Sequence, residues 1–352
     1  MLIVRPAAPT DLDAVLELAR QIGPGMTTLK ADRGALERRL EIASASFAGT
    51  AAPIECDYLF VMEDCATGRV GGVCAIKRSV GLDEPFYSYR LGTMIHSSAE
   101  ANVFAQMQAL YLSYDMTGCA ELCSLYLHPD YRQGLNGKLL SKSRFLFIAQ
   151  FPELFSERIF AEMRGYQDID GSSPFWESLG RHFFKMDFQA ADDMCGRDKA
   201  FISQLMPRHP LYTALLSEEA RAAIGKTHVD TVPARRLLEQ EGLRYEGYLD
   251  IFDGGPVLQA KVGDLRASRE SMRVVAEAGT ALAGVDALVS TTSMRDFRVI
   301  AARAAPEGGR LVLPPEQLDA LRCAPGEEVV TMPVQPARAA GIRKQENSAT
   351  FS

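Results

Sequence analysis

The sequence predicts an α+β fold. Three observations lead there. Residues 2–76 follow the order strand, two helices, two strands. Residues 121–148 run strand, glycine loop, helix. A further short strand and helix precede a strand-rich C-terminal stretch.

Taken in order, residues 2–6 (LIVRP) read as a strand. Thr10 is placed to cap the next helix, with Asp13 three residues on in a capping-box pattern. Leu12, Val15, Leu16 and Ala19 then share one face. GPGMTTL at 23–29 interrupts the pattern, and Leu36, Leu40, Ala43 and Phe47 mark a second helix. Residues 58–63 and 70–76 read as strands joined by a turn at Thr67 and Gly68. A strand at 122–127 ends at the turn His128-Pro129-Asp130. The loop Arg132-Gln133-Gly134-Leu135-Asn136-Gly137 follows, then a basic amphipathic segment from Lys138.

Residues 159–163 form a short apolar strand, and Ser173 before Pro174 signals a helix start. Residues 190–240 are polar and helical in pattern, an insertion. Residues 245–252 read as a strand closed by a Gly-Pro turn. Beyond about 260, the short apolar runs 287–289, 297–301, 311–313 and 328–332 alternate with Gly, Pro and Arg, as in a small β-rich module. The expected organisation is one domain over 1–260 including the insertion, a module over 261–335, and a polar, disordered tail over 336–352.

The composition narrows the function classes. The 352 residues are 47% apolar and 24% charged, with net charge −7. This is an ordinary soluble balance, and without a basic stretch it argues against a nucleic-acid partner. No apolar run approaches the ~18 residues of a membrane span. MLIVRPAAPTDLD lacks the charged head and long apolar core of a signal peptide, so the expected location is cytoplasmic. The seven cysteines are scattered and odd in number, which reads as reduced thiols rather than a disulfide framework. Cys119 and Cys123 have no second pair nearby, so no metal site is expected.

The loop carries the chemistry. Unpaired backbone N–H groups and the positive dipole end of a helix attract phosphate. Glycine lets the backbone approach it. Arg132, Gly134, Asn136, Gly137 and Lys138 are therefore the candidate cofactor-binding residues. His228 lies in the polar segment IGKTHVDTVPAR and titrates near neutrality. That suits a proton donor to a departing sulfur or a base for an amine. His96 and His182 are weaker candidates, His182 reading as a structural histidine beside Phe183 and Phe184. His128 and His209 precede prolines and read as turn residues.

The loop resembles the Arg/Gln-x-x-Gly-x-Gly/Ala pattern of the GCN5-related acyl-CoA N-acyltransferases. Arg132 and Gly137 fit, while Leu135 stands where glycine is expected and Gly134 comes one residue early. Within that superfamily, FVMED (60–64), EPFYSYR (84–90), ELCSLYL (121–127) and LLSKSRFLFIAQF (139–151) resemble the arginine N-succinyltransferases. So do AEMRG (161–165), SPFWESLGRHFF (173–184), KAFISQLMP (199–207) and YLDIFDGGP (248–256). The likeness covers roughly residues 1–270 and leans to the β type of the paired α and β chains that some species encode.

The resemblance implies a mixed central sheet flanked by helices, splayed between its fourth and fifth strands, here near 122–127 and 159–163. It implies transfer of succinyl from succinyl-CoA to the α-amino group of L-arginine in arginine catabolism, with L-ornithine a second acceptor in some members, and no tightly bound cofactor. A main-chain N–H near Leu125 would polarise the thioester. The histidine of the family's Gly-x-x-His segment is its proton donor, and it carries over to His228 through Gly225; Val229 replaces the proline often found next. Arg90 and Arg164 are candidates for the succinyl carboxylate, and Glu162, Asp250 and Asp253 for the guanidinium. A homo-oligomer or a pairing with a homologous α chain would fit. Two other readings stay open: an acetyl-CoA-dependent transferase of another small amine, and a non-catalytic subunit of an active partner.

Overall fold

The computed structural model describes residues 1–22, 26–195, 200–280 and 284–336. Of the tail expected over 336–352, all but Pro336 lies outside the described residues.

The chain opens with β1 (Leu2–Pro6), α1 (Leu12–Arg20) and α2 (Arg33–Ala48), then β2 (Asp57–Asp64) and β3 (Val70–Lys77). Thr10 does not cap α1. The Asp11 carboxylate takes the Ala8 N–H at 2.8 Å and is held by Arg5, because a short 3-10 turn with Pro9 at its head precedes the helix. Asp32 caps α2 by accepting the Ala35 N–H.

A hairpin follows, β4 (Ser88–Ser98) and β5 (Val103–Ser113). No periodicity announced it, since both faces of its outer half are solvated and apolar alternation is lost. Next come β6 (Ala120–Leu127), α3 (Asn136–Gln150) and β7 (Arg158–Glu162). α3 is not amphipathic. Every side chain from Leu139 to Ile148 is buried, Lys142 and Arg144 included, because α3 runs through the middle of the molecule. Phe147 packs on Phe47, Tyr58 and Phe60 with ring centroids 4.9–5.7 Å apart. Lys142 reaches Glu241 at 2.7 Å, and Arg266 meets the same carboxylate at 2.8 Å. Burial outweighs this pairing and lowers the Lys142 pKa.

Ser173 caps the helix that Pro174 begins, accepting the Trp176 N–H at 3.3 Å. That helix widens to a π turn over Trp176–Gly180 and continues as α4 (Arg181–Phe184). The segment beyond is mainly helical: α5 (Phe188–Cys195), α6 (Ala200–Leu205), a two-residue β8 (Leu211–Tyr212), α7 (Glu218–Ala223) and α8 (Val232–Glu241). β9 (Arg244–Leu249) and β10 (Pro256–Lys261) follow, then α9 (Arg266–Glu270). The C-terminal stretch holds β11 (Met272–Ala278), β12 (Val285–Thr291), β13 (Val299–Ala304), β14 (Arg310–Leu313), α10 (Pro315–Leu321) and β15 (Glu328–Pro333).

The strands form one mixed sheet in the order β14-β11-β15-β12-β13-β1-β2-β3-β6-β7-β10-β9-β4-β5-β8. The C-terminal strands join it through Ile3↔Ile300 and Val4↔Val299. Their own core gathers Val274, Val289, Leu313 and Leu321 around Ile3.

Candidate active site

β6 and β7 are parallel, yet they pair only at Ala120↔Ile159 and Glu121↔Phe160. Beyond that point each strand keeps its outer neighbour. β6 stays on β3 as far as Leu127↔Gly72, and β7 stays on β10 as far as Glu162↔Val257. The two C-terminal ends therefore border a gap in the sheet, where the family resemblance implied a split.

Leu125 lies on the β6 side of this gap. The β3–β6 register jumps from Ala75↔Cys123 to Val73↔Tyr126, so Ser124 and Leu125 bulge opposite Cys74. Ser124 sits at φ 53°, the left-handed region that non-glycine residues enter rarely. Its hydroxyl accepts from Arg39 Nη1 at 3.0 Å and donates to the Thr28 carbonyl at 3.1 Å. Arg39 is fixed in turn by Asp57 at 2.7 Å. Leu125 has no register partner on either neighbouring strand, and its side chain is half-buried.

The loop after β6 is braced from within. Arg132 Nε donates to the Leu127 carbonyl at 2.9 Å, and its guanidinium lies 5.8 Å from the Tyr126 ring centroid. Asn136 Nδ2 donates to the Tyr131 carbonyl at 2.9 Å. Both side chains thus shape the loop. Gly134 carries its one positive φ, 56°. Gly137 has ordinary helical φ within α3, and a Cβ there would meet only Leu127 Cδ2 at 3.9 Å. The backbone N–H groups of Gly134, Leu135, Gly137 and Lys138 have no partner among the described residues. Lys138 puts a cation in the first turn of α3, the end where the dipole favours anions. Four free N–H groups and a lysine with no anion beside them suit a pyrophosphate.

His228 is brought to the other side of the gap. Its N–H donates to the Arg164 carbonyl at 2.8 Å, and Thr227 bridges Gly165. The ring's Nδ1 accepts the Asp230 N–H at 3.2 Å, which leaves Nε2 as the free ring nitrogen. Burial first, then Arg164, pushes its pKa down, against a smaller upward pull from Asp230. With Nδ1 accepting, the neutral ring carries its proton on Nε2.

The remaining candidates separate. Asp253 accepts from the Gly165 and Gly255 N–H groups at 2.6 and 2.8 Å, and Asp250 from Phe252 and Asp253 at 2.7 and 2.9 Å. Both shape the turn, Asp253 buried and Asp250 half-buried, and desolvation raises the pKa of each. Both Asp253 oxygens are taken by backbone N–H groups, whereas Asp250 accepts both of its bonds on Oδ1. Glu162 ends β7, half-buried. Arg90 is exposed and stacks on Tyr248 at 5.7 Å. His182 is exposed on α4 rather than packed inside, and His96 meets the Tyr212 hydroxyl at 3.2 Å on the outer hairpin.

Arg39, Ser124 and Gln167 gave no sequence signal. Their interest lies in contacts across the fold. A surface cavity of about 450 Å³, lined by Arg78, Glu153 and Phe155, lies at the opposite end of β6. The free N–H groups and His228 border the gap at the other end of β6. Among the described residues no group of His, Cys, Asp and Glu is arranged to hold a metal ion, and no helix is long and apolar enough to cross a membrane.

The arginine N-succinyltransferase beta subunit family model matches residues 2–267, and the model of its C-terminal domain matches 270–333. The chain belongs to the arginine N-succinyltransferase family. An arginine N-succinyltransferase of Salmonella typhi is 49% identical over 332 residues, 94% of this chain and 96% of the relative. One of Escherichia coli is 48% identical over the same span. The arginine/ornithine succinyltransferase subunit AI of Pseudomonas aeruginosa superposes with TM-score 0.88 at 33% identity, covering 96% of this chain and 99% of that one. The family relation therefore reaches through the strands β11–β15 and is not confined to the acyltransferase sheet.

Proposed function

We propose that the chain transfers the succinyl group of succinyl-CoA to the α-amino group of L-arginine, in arginine catabolism. The observation that carries this reading is identity of 48–49% to arginine N-succinyltransferases across 94% of the chain. L-ornithine is a second acceptor on this reading, supported by the likeness to an arginine/ornithine succinyltransferase subunit of Pseudomonas aeruginosa.

The pyrophosphate of CoA lies on the N–H groups of Gly134, Leu135, Gly137 and Lys138. Arg132 and Asn136 hold the loop, and Lys138 supplies charge. The bulged main chain at Leu125 donates to the thioester oxygen, where negative charge develops as the amine attacks. The tetrahedral adduct expels the thiolate, and one proton passes in net from nitrogen to sulfur. His228 donates a hydrogen bond from Nε2–H to the departing sulfur, and the proton that sulfur gains is balanced by the one the adduct's nitrogen gives up, so the ring ends neutral as it began. CoA binds as a co-substrate and leaves as product.

Assembly as a homo-oligomer, or with a homologous α chain, is supported by the similar Pseudomonas aeruginosa protein being a succinyltransferase subunit. Light scattering on the purified chain, alone and co-expressed with such a partner, tests it. A cytoplasmic location fits substrates of central metabolism. Turnover of succinyl-CoA and L-arginine by the purified chain tests the function. A chain active only with its partner present would be the non-catalytic subunit.

A further inference from the structure

We propose that Arg164 and Gln167 form a binding site for a substrate carboxylate at the end of β7. The proposal rests on the acyl-transfer reading above and deepens it.

Arg164 is half-buried, and its one side-chain hydrogen bond runs from Nη2 to Gln167 Oε1. Its Nε is buried without a partner, and so is Nε2 of Gln167, a residue only 7% exposed. Buried donors are almost always met, so two unmet donors on touching side chains call for an acceptor. The acids around Arg164 do not supply one. Asp253 gives both oxygens to backbone N–H groups, Asp250 gives Oδ1, Asp192 pairs with Lys30 at 2.7 Å, and among the described residues neither these nor Asp230 makes an ion pair with Arg164. Burial lowers the Arg164 pKa despite Asp253, Asp230 and Asp192 nearby. An anion at the guanidinium would reverse that cost.

The position suits a substrate. Arg164 lies five residues past Ile159, as Leu125 lies five past Ala120, and Ala120 pairs with Ile159. The Arg164 carbonyl also holds the N–H of His228. A ligand there lies beside the thioester and the attacking amine. Both substrates offer the required planar, two-oxygen acceptor close to their reacting atoms: the succinyl carboxylate and the α-carboxylate of arginine. A guanidinium fork suits either one.

The test is equilibrium binding to the full chain. The Kd of succinyl-CoA is compared with that of CoA, and the Kd of L-arginine with that of agmatine, its decarboxylated form, in the presence of CoA. In Arg164→Met the preference for the carboxylated member of one pair should fall roughly 10- to 100-fold, the usual worth of charge-assisted hydrogen bonds. The pair that collapses names the carboxylate. The Kd of CoA itself should not move, which a merely structural role would not guarantee. Arg164→Lys should fall part of the way. Gln167→Leu gives a second route should Arg164→Met fail to fold, with a loss of several-fold in the same pair. Both preferences intact in folded variants would overturn the site while leaving the function standing. Wild type lacking both preferences would overturn the functional reading itself.

Discussion

The guanidinium of Arg39 donates from Nη1 to the hydroxyl of Ser124, 85 positions along the chain, at 3.0 Å. This contact ties the second helix to the bulge that presents Leu125. A serine at φ 53° is strained, and a β-branched side chain more so. Ser124→Val should destabilise the fold by on the order of 1–3 kcal/mol. Ser124→Gly relieves the backbone but loses the hydroxyl, two effects of about 1 kcal/mol each that oppose. Its melting temperature should stay near wild type while kcat drops about tenfold for a loss of about 1.4 kcal/mol. Unchanged kcat in Ser124→Gly would detach the bulge from catalysis.

The loop prediction divides between two glycines. Gly137→Val should fold normally, since its φ is helical and the added Cβ meets only Leu127 at 3.9 Å. It should still weaken CoA binding more than tenfold by standing between the helix end and the phosphates. Gly134→Val should cost some stability as well, because φ is 56° there. Calorimetry with CoA reads both. Normal affinity in Gly137→Val would remove the loop from the cofactor site.

His228→Ala should lower kcat roughly one hundredfold with little change in the KM for succinyl-CoA, at the low end of general acid–base help because a thiolate already leaves well. His228→Gln should fall nearly as far. A near-normal kcat would make the histidine a loop residue.

The pH behaviour of His228 follows from its depressed pKa, below the ordinary 6.5. Unfolded, the ring takes its proton near 6.5, while the folded ring stays neutral. Its contribution to stability is therefore fully present above pH 6.5, and is lost as pH falls through the folded value. His228→Gln should flatten the acid side of the plot of Tm against pH. An NMR titration placing the His228 pKa above 6.5 would contradict the geometry, and Arg164→Met should raise it.

Glu241 holds both Lys142 and Arg266 in the interior, at 2.7 and 2.8 Å. Glu241→Gln leaves buried Lys142 without its carboxylate and Arg266 with Glu270 alone, and should cost about 3–5 kcal/mol, read by chemical denaturation. A loss under 1 kcal/mol would mean water reaches the triad.

Much of this was legible in the sequence, and the limits have physical causes. Strands β1, β2, β3, β6 and β7 bury apolar runs bounded by turn residues, so periodicity finds them. The loop shows because glycine and a helix start are local features, and His228 through its polar segment and the family likeness. Lys142 and Arg144 read as surface residues because their partners, Glu241 and the Cys123 carbonyl, are distant in the chain. Arg39 was silent for the same reason. Asp253 looked like a substrate ligand because sequence cannot show that backbone N–H groups already fill its oxygens. The positive φ falls on Gly134, since the helix begins at Asn136 and draws Gly137 into its first turn.

The central claim is tested most directly by incubating the purified full chain with succinyl-CoA and L-arginine and following free thiol and product mass together. The account predicts stoichiometric CoA and N2-succinylarginine, with acetyl-CoA much poorer because a carboxylate site would be left unfilled. Equal or faster turnover with acetyl-CoA, or no acyl transfer to arginine at all, would contradict it.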